Sequence, residues 1–191
     1  MVYVVFTTSE VLRGRPYGGC AIFWHQGLCC DVSLLDTGSR RVCAIRCTFK
    51  FGIFVFINVY IPGESDDVNK SEFCDTLNII ESIVDDGCYV VLGGDFNVDF
   101  SRIWSNSSTH RSFCTRLNLY PVIFHEASQI DYSYHFSVKH FHTVHHFIVS
   151  QQLFQDSIDR LCAIHKVDNT SDHDPVFMQM SVDVQRFNTL G

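Results

Sequence analysis

An apolar run passes directly into a polar turn at Tyr89-Val90-Val91-Leu92-Gly93-Gly94-Asp95-Phe96-Asn97. The apolar residues are typical of a strand buried on both faces, and paired glycines let the backbone turn tightly where it ends. A carboxylate at Asp95 could bind a metal ion or accept a proton from water, and the Asn97 amide could hold that water. An ordinary turn is the alternative, because Asp and Asn favour turns.

A second polar turn, Ser171-Asp172-His173-Asp174-Pro175, precedes another apolar segment. Asp is a good ligand for a hard cation, and His can contact phosphate or transfer a proton. Taken alone, this motif is more typical of a turn before proline. Only folding would bring both motifs together, and their convergence in one pocket would suit metal-assisted attack of water on a phosphodiester.

Three weaker signals lie elsewhere in the chain. Tyr60 ends an apolar run, where its phenol could donate a hydrogen bond to phosphate, although strand tyrosines are commonly packing residues. The segment Gly14-Arg15-Pro16-Tyr17-Gly18-Gly19 could be a nucleic-acid-facing loop or a plain turn. Five histidines lie between residues 135 and 146, and His140 and His142 share a strand face, so they could form a zinc site, although no regular ligand spacing supports it.

Length and composition indicate one domain over residues 1–191, because no linker or repeat is visible in the 191-residue chain. Hydrophobic residues make up 46% and charged residues 18%, which excludes a disordered chain. The formal net charge of −7 offers no strong non-specific attraction to nucleic acid. Nine cysteines without a CxxC pair, and no signal peptide, predict reduced and buried thiols in the nucleus or cytoplasm.

Hydrophobic periodicity predicts many strands and few helices. Strands are predicted at residues 1–6, 20–24, 28–35, 41–50, 51–61, 89–92, 121–125, 131–137, 143–149, 158–166 and 175–182. One helix is predicted between a Ser65 cap and a Gly87 stop, and another over residues 109–117. The first helix has apolar residues at helical spacing, namely Phe73, Leu77, Ile80 and Val84. This pattern favours an α+β fold of stacked sheets flanked by helices.

In chain order, the segments at residues 14–22, 58–62, 93–97 and 171–175 resemble the motifs of the endonuclease/exonuclease/phosphatase family. The nearest likeness is to the apurinic-type endonuclease domain of LINE-like non-LTR retrotransposons, and it covers almost the whole chain. The resemblance implies a DNase I-like four-layer α/β/β/α sandwich. It also implies cleavage of DNA with Mg²⁺ or Mn²⁺, a reverse transcriptase domain in the parent element, a monomer and no membrane association.

The resemblance also implies a role for each motif residue. Tyr60 is similar to the tyrosine that contacts phosphate, and Asp95 to the residue that aligns or deprotonates water and touches the metal. Asn97 is similar to the partner that orients Asp95. Asp172 resembles a metal ligand, and His173 the histidine that contacts phosphate and handles a proton.

Two departures from the family pattern are visible. The family begins with a strand bearing Asn and a second strand with a Gln-Glu pair, whose Glu is the main metal ligand. Neither strand is found in this sequence, so the N-terminal part of the domain is expected to be absent. His145 stands where the family has the Asp that pairs with the catalytic His, while Asp131 mimics that motif too far upstream. A weak or inactive DNA-nicking enzyme is therefore expected. The alternatives are a catalytically dead binding module and a phosphatase of the same family.

Overall fold

The computed structural model describes residues 19–63, 67–85, 87–102, 105–137 and 140–183. Its centre is a six-stranded mixed sheet in the order β1-β2-β3-β4-β8-β5. These strands are β1 (Asp31–Leu35), β2 (Val42–Phe49), β3 (Gly52–Tyr60), β4 (Tyr89–Asp95), β5 (Leu119–Pro121) and β8 (His145–Ser150). Only β3 and β4 pair in parallel within this sheet, and the chain crosses between them through a helix.

Helix α1 (Asp67–Ile83) makes that crossover, and α2 (Ser105–Arg116) follows β4. The predicted apolar positions Phe73, Leu77 and Ile80 of α1 are buried. The helix ends at Ile83, before Gly87, and its predicted Ser65 cap lies outside the described residues. No helix in the described ranges combines the length and apolar character needed to cross a membrane.

A second, two-stranded sheet is formed by β9 (Ile158–Ala163) and β10 (Val176–Met180). A hairpin of β6 (Tyr134–Ser137) and β7 (His140–His142) lies beside it, and an isolated bridge joins Tyr134 to His173 in the loop before β10. The short helix α3 (Gln151–Asp156) connects the two sheets through β8 and β9. The loop that carries His173 is therefore attached to the hairpin.

The central sheet separates two hydrophobic cores. Val90 and Leu92 face the core shared with α1 and α2, while Val91 faces the core shared with the second sheet. This alternation follows from the two-residue period of a strand, and it explains why the whole run is apolar. All nine cysteines are free, and Cys20, Cys43, Cys47 and Cys114 are buried. Cys29 and Cys74 are exposed, so the prediction of burial is wrong for these two.

Two histidines lie in the core on the helical side. His110 packs edge-on against Phe73 and Phe100, and neither of its ring nitrogens has a hydrogen-bond partner among the described residues. The Nε2 atom of His146 lies 2.7 Å from the carbonyl oxygen of Val98. Burial is the main cause that lowers the pKa of His110 to about 3 and the pKa of His146 to about 4. Both rings are therefore neutral at physiological pH.

Several local predictions are wrong. Residues 20–24 form no strand. This segment contacts β3 through a side chain rather than through a backbone ladder: Nδ2 of Asn58 donates to the carbonyl of Ala21 at 3.0 Å. The strand predicted at 121–125 ends at Pro121, which has no N–H to continue the ladder, and the 3₁₀ turn Val122–Phe124 follows. Neither α3 nor β7 is predicted, and the strand predicted over residues 1–6 lies outside the described residues.

The predicted fold class is confirmed. The described residues form a helical layer of α1 and α2, the central sheet and the second sheet, stacked in the order expected of the DNase I-like sandwich. The extent of the domain over residues 1–191 stays a prediction.

Candidate active site

Neighbouring strands of the central sheet end in a row of polar side chains. Tyr60 of β3 lies opposite Asp95 of β4, and Asp95 lies opposite His145 of β8. Residues directly opposite one another in a sheet point to the same face. Tyr60, Asp95 and His145 therefore project together towards the second sheet, and all three line one cavity of about 470 Å³.

Gly94 lets β4 approach β3 closely just before Asp95. Its φ of +141° lies in the region that favours glycine, and an added Cβ would lie 2.0 Å from the carbonyl oxygen of Val59. Any larger residue would displace one of the two strands. The motif glycine thus fixes where the Asp95 carboxylate stands.

His173 reaches the cavity from the loop before β10. Backbone hydrogen bonds hold this loop to the hairpin: the His135 N–H donates to the Asp172 carbonyl and the Asp174 N–H donates to the Ser133 carbonyl, each at 2.9 Å. The His173 ring also packs against the Tyr134 ring, with centroids 4.8 Å apart. These contacts on both sides fix the position of His173 over β8.

Three of these side chains meet in the cavity wall. The Nδ1 atom of His173 lies 3.1 Å from Nε2 of His145, and that Nε2 lies 3.9 Å from Oδ2 of Asp95. The exposed fractions are 14% for the Asp95 side chain, 22% for His145 and 38% for His173, so the cluster is partly shielded but open to solvent. One oxygen of Asp95 and one nitrogen of each histidine lie within 4.8 Å of one another, which makes this a candidate acid/histidine metal site.

Burial changes the acidity of the cluster. It raises the pKa of the Asp95 carboxyl, against the opposing effects of the Asn97 backbone hydrogen bond and the two nearby imidazoles. It lowers the pKa of His145, against the attraction of Asp95. A carboxylate with a raised pKa is a better proton acceptor, while His145 stays neutral near pH 7. The Nδ1 atom of His145 is buried without a partner in the described residues, so the ring's polar contacts are made through Nε2.

No protein-family model matches the sequence, and no curated protein matches it. Solved structures do match. The endonuclease domain of TRAS1, a telomere-specific non-LTR retrotransposon, superposes with a TM-score of 0.68 at 12% identity, over 94% of this chain and 78% of that chain. The chain has the endonuclease/exonuclease/phosphatase fold.

Other structures with this fold match with slightly lower TM-scores and higher sequence identities. A 3′–5′ exonuclease from Neisseria meningitidis matches with a TM-score of 0.65 at 18% identity, and an AP endonuclease from Archaeoglobus fulgidus with a TM-score of 0.65 at 19% identity. Each match covers 95% of this chain and 80% of the other. The fold is therefore established by shape, at sequence identities too low to transfer an activity.

Within this fold, the structure separates the predicted site residues into two groups. Tyr60, Asp95 and His173 line the cavity, whereas Asn97 and Asp172 do not. Asn97, with a φ of 49°, donates its Nδ2 to the Ile61 carbonyl at 2.8 Å and its backbone N–H to Asp95 Oδ1 at 2.9 Å. Its observed contacts hold the turn and the carboxylate in place.

Asp172 stands outside the cavity, with half of its side chain exposed and its Oδ1 atom 3.9 Å from Nε2 of His173. Asp131, which mimics the family motif in sequence, is also outside: its Oδ1 lies 2.9 Å from Nε2 of His165. His145 is the residue that stands beside His173, as the motif comparison places it.

Sequence reasoning missed the residues that support the cluster. Ser133 is completely buried, and its hydroxyl oxygen accepts the backbone N–H groups of Val144 and His145 at 3.1 and 3.0 Å. Asp174 is buried with carboxylate oxygens 2.9 Å from Nδ1 of His165 and 2.8 Å from Nδ2 of Asn169. The serine carries no sequence signal. The Asp174-Pro175 pair marks its loop but does not reveal the partners.

Proposed function

We propose that the chain is a phosphodiester hydrolase domain that nicks DNA, with a rate reduced by His145. The observation that carries this proposal is the meeting of Asp95, His173 and Tyr60 at one strand-end cavity. DNA is the proposed substrate because a neighbouring structure is a 3′ phosphatase from Neisseria bound to a product DNA hairpin, and another is an AP endonuclease. A reverse transcriptase partner and a monomeric state stay predictions of the sequence resemblance.

Residues on opposite walls of the cavity have different proposed roles in the reaction. Asp95 accepts the proton of an attacking water, because burial keeps its carboxylate poorly solvated and more basic than an exposed one. Tyr60 stands next to Asp95 in the sheet, where its phenol can donate to a phosphate oxygen. His173, from the opposite wall, supplies an imidazole N–H to the phosphate or the leaving oxygen.

His145 limits this chemistry. A carboxylate beside a catalytic histidine orients the ring and favours its protonated form, whereas a neutral imidazole supplies no charge. At 3.1 Å, His145 orients the His173 ring by a hydrogen bond but offers no negative charge. The rate is therefore expected to be well below that of a domain with Asp in this place.

The fold family implies a divalent cation, and the sequence analysis expects Mg²⁺. Mg²⁺ is held in proteins by oxygen ligands and demands near-octahedral geometry. Among the described residues, the cavity cluster offers one carboxylate and two imidazoles, a donor set that does not fit Mg²⁺. No step of the chemistry above is therefore assigned to Mg²⁺.

A nicking assay on supercoiled plasmid tests the proposal. The assay is run in separate buffers with Mg²⁺, Mn²⁺ or Zn²⁺. In any buffer that supports cleavage, Asp95→Asn and His173→Ala are expected to nick about a hundredfold more slowly than the unchanged protein. Asp31→Asn is the matched control, because Asp31 is exposed on β1, far along the sheet from β4. His145→Asp is expected to nick at least about tenfold faster, since it supplies the missing carboxylate.

Equal background cleavage by all five proteins would overturn the hydrolase assignment. Retained binding of a DNA duplex in that case would establish the non-catalytic module instead. Release of phosphate from a 3′-phosphorylated hairpin, without nicking, would move the assignment to a phosphatase.

A further inference from the structure

The cluster of Asp95, His145 and His173 has a composition that the family resemblance does not explain. Replacement of an expected Asp by His145 turns one oxygen donor into a nitrogen donor at the centre of the group. Its Nε2 atom lies between the other two side chains, 3.1 Å from His173 Nδ1 and 3.9 Å from Asp95 Oδ2. The result is a group of two imidazoles and one carboxylate facing the cavity.

The distances suit one shared ion. Protein nitrogen and oxygen ligands lie about 2 Å from Zn²⁺, so two ligands of one ion are at most about 4 Å apart. The two distances from His145 already meet that limit, and the remaining pair lies within 4.8 Å. A small side-chain rotation therefore completes a three-ligand site.

We propose that Asp95, His145 and His173 form a site for a borderline transition-metal dication such as Zn²⁺, in preference to Mg²⁺. Imidazole is a favoured ligand of Zn²⁺ and related ions, whereas Mg²⁺ selects carboxylate, carbonyl and water oxygens. The inference deepens the proposed function, because it assigns the metal of the same cavity and so rests on the same residues. With the ion bound, Asp95 and the two imidazole nitrogens are ligands, so the proton-accepting role of Asp95 and the hydrogen bond between His145 and His173 belong to the metal-free form.

The site has the features of a catalytic rather than a structural metal centre. Three protein ligands leave a coordination position open, and here it would face the cavity lined by Tyr60. The ligands stand on fixed elements, since β4 and β8 pair in register at Asp95 and His145 and the hairpin bridge holds His173. A pre-organised ligand set favours binding without rearrangement of the fold.

Asp172 lies outside the proposed ligand set. Its Oδ1 atom is 3.9 Å from Nε2 of His173, which is too far for a hydrogen bond, so the proposed ligands are Asp95, His145 and His173 alone.

Metal titrations on the purified full chain test the inference without any activity measurement. Co²⁺ is added while the visible d–d absorption is followed, and Zn²⁺ affinity is measured by calorimetry or by competition with bound Co²⁺. The unchanged protein is expected to bind one ion, while His145→Ala and Asp95→Asn bind at least about tenfold more weakly. His145→Asp is expected to bind Zn²⁺ more weakly than the unchanged protein and Mg²⁺ more tightly.

Nine free cysteines require a control, because thiolates also bind Zn²⁺ and Co²⁺. All the variants keep these cysteines, and Co²⁺ bound to sulfur gives a near-ultraviolet charge-transfer band that a nitrogen and oxygen site lacks. His25→Ala, in an exposed loop, is the matched histidine control. Circular dichroism and thermal unfolding without metal establish that each variant is folded.

Equal Zn²⁺ affinity of the unchanged protein, His145→Ala and Asp95→Asn would overturn the inference, as would a sulfur charge-transfer band or tighter binding of Mg²⁺ than of Zn²⁺. Metal binding and nicking can fail separately. One bound Zn²⁺ with no nicking by any variant removes the hydrolase proposal and leaves the metal site. Nicking without Zn²⁺ binding removes the metal site and leaves the hydrolase proposal.

Discussion

The histidines of the core and the histidines of the cavity have opposite surroundings, although His145 and His146 are consecutive on β8. His146 points into the helical-side core, where it meets Phe96, Phe100 and one backbone carbonyl. His145 points to the other face, where it meets a carboxylate and a second imidazole. One step along a strand therefore separates a packing residue from a candidate ligand, so strand face decides the role more than residue type does.

The largest expected effect that would sharpen this contrast is a loss of stability in acid. His110 and His146 have folded-state pKa values of about 3 and about 4, below the ordinary 6.5, so the unfolded chain binds more protons. Above about pH 6.5 both rings are neutral in the folded and the unfolded chain, so the stability is at its full value. Below that pH the unfolded chain takes up protons first, and the free energy of unfolding falls as the pH approaches 4. By about 1.4 kcal/mol per pKa unit, the free energy of unfolding should fall by a few kcal/mol between pH 7 and pH 4.5.

Urea denaturation at both pH values measures this loss. His146→Gln is the control, because an amide N–H can still donate to the Val98 carbonyl but does not titrate. The variant should lose less stability in acid than the unchanged protein. An equal loss in both proteins would show that protonation of His146 does not cause the loss of stability in acid.

The next effect distinguishes the two core histidines from each other. His110→Leu removes two buried nitrogens that lack partners, and it should raise the free energy of unfolding by about 1 kcal/mol. His146→Leu removes the donor to the Val98 carbonyl and should lower it by about 1–3 kcal/mol. Chemical denaturation at pH 7 gives both values. Changes of the same sign in both variants would mean that hydrogen bonding does not set the cost of a histidine in this core.

The spacing of apolar residues along the chain was sufficient to predict the elements whose structure depends on neighbouring residues. Helical spacing placed the buried face of α1, and the apolar run ending at Gly93 and Gly94 placed β4 and the turn at Asp95. Residues 20–24 have a composition typical of a strand, and the strand predicted there is wrong. The segment contacts β3 through the Asn58 side chain, a tertiary contact that no local pattern reveals.

The motifs of the candidate site were predicted from the sequence, and the contacts between them were not. Tyr60, Asp95 and His173 were found because each ends an apolar segment or precedes one. Long-range pairing decided the rest: the hairpin bridge places His173, and the β4–β8 register places His145. Histidine spacing gave no reason to expect a metal site, because the proposed ligands come from separate elements rather than from one regular repeat.

The smallest expected effect concerns His165, whose ring nitrogens each lie 2.9 Å from a carboxylate oxygen, of Asp131 and of Asp174. The Asp131 hydrogen bond is the main cause that raises the pKa of His165, despite partial desolvation. This pairing therefore stabilises the fold fully below about pH 6.5 and fades as pH rises through the raised pKa. Its exposure limits the contribution to less than about 1 kcal/mol.

His165→Gln should accordingly lower the free energy of unfolding slightly at pH 6 and leave it unchanged at pH 9. Denaturation at the two pH values measures the difference. A variant that is destabilised equally at both would show that this exposed histidine acts by packing against Tyr132, as the core histidines do against phenylalanine.

Tyr60, Asp95 and His145 sit on three adjacent strands, and the spacing between them is the repeat of the sheet itself, about 4.8 Å per strand. That interval belongs to the backbone and is independent of which side chains occupy these positions. One functional group can therefore be exchanged for another at any of these three positions without changing the spacing between them. The sequence resemblance predicts Asp at position 145, and the His that stands there pairs with Asp95 at the ordinary strand spacing.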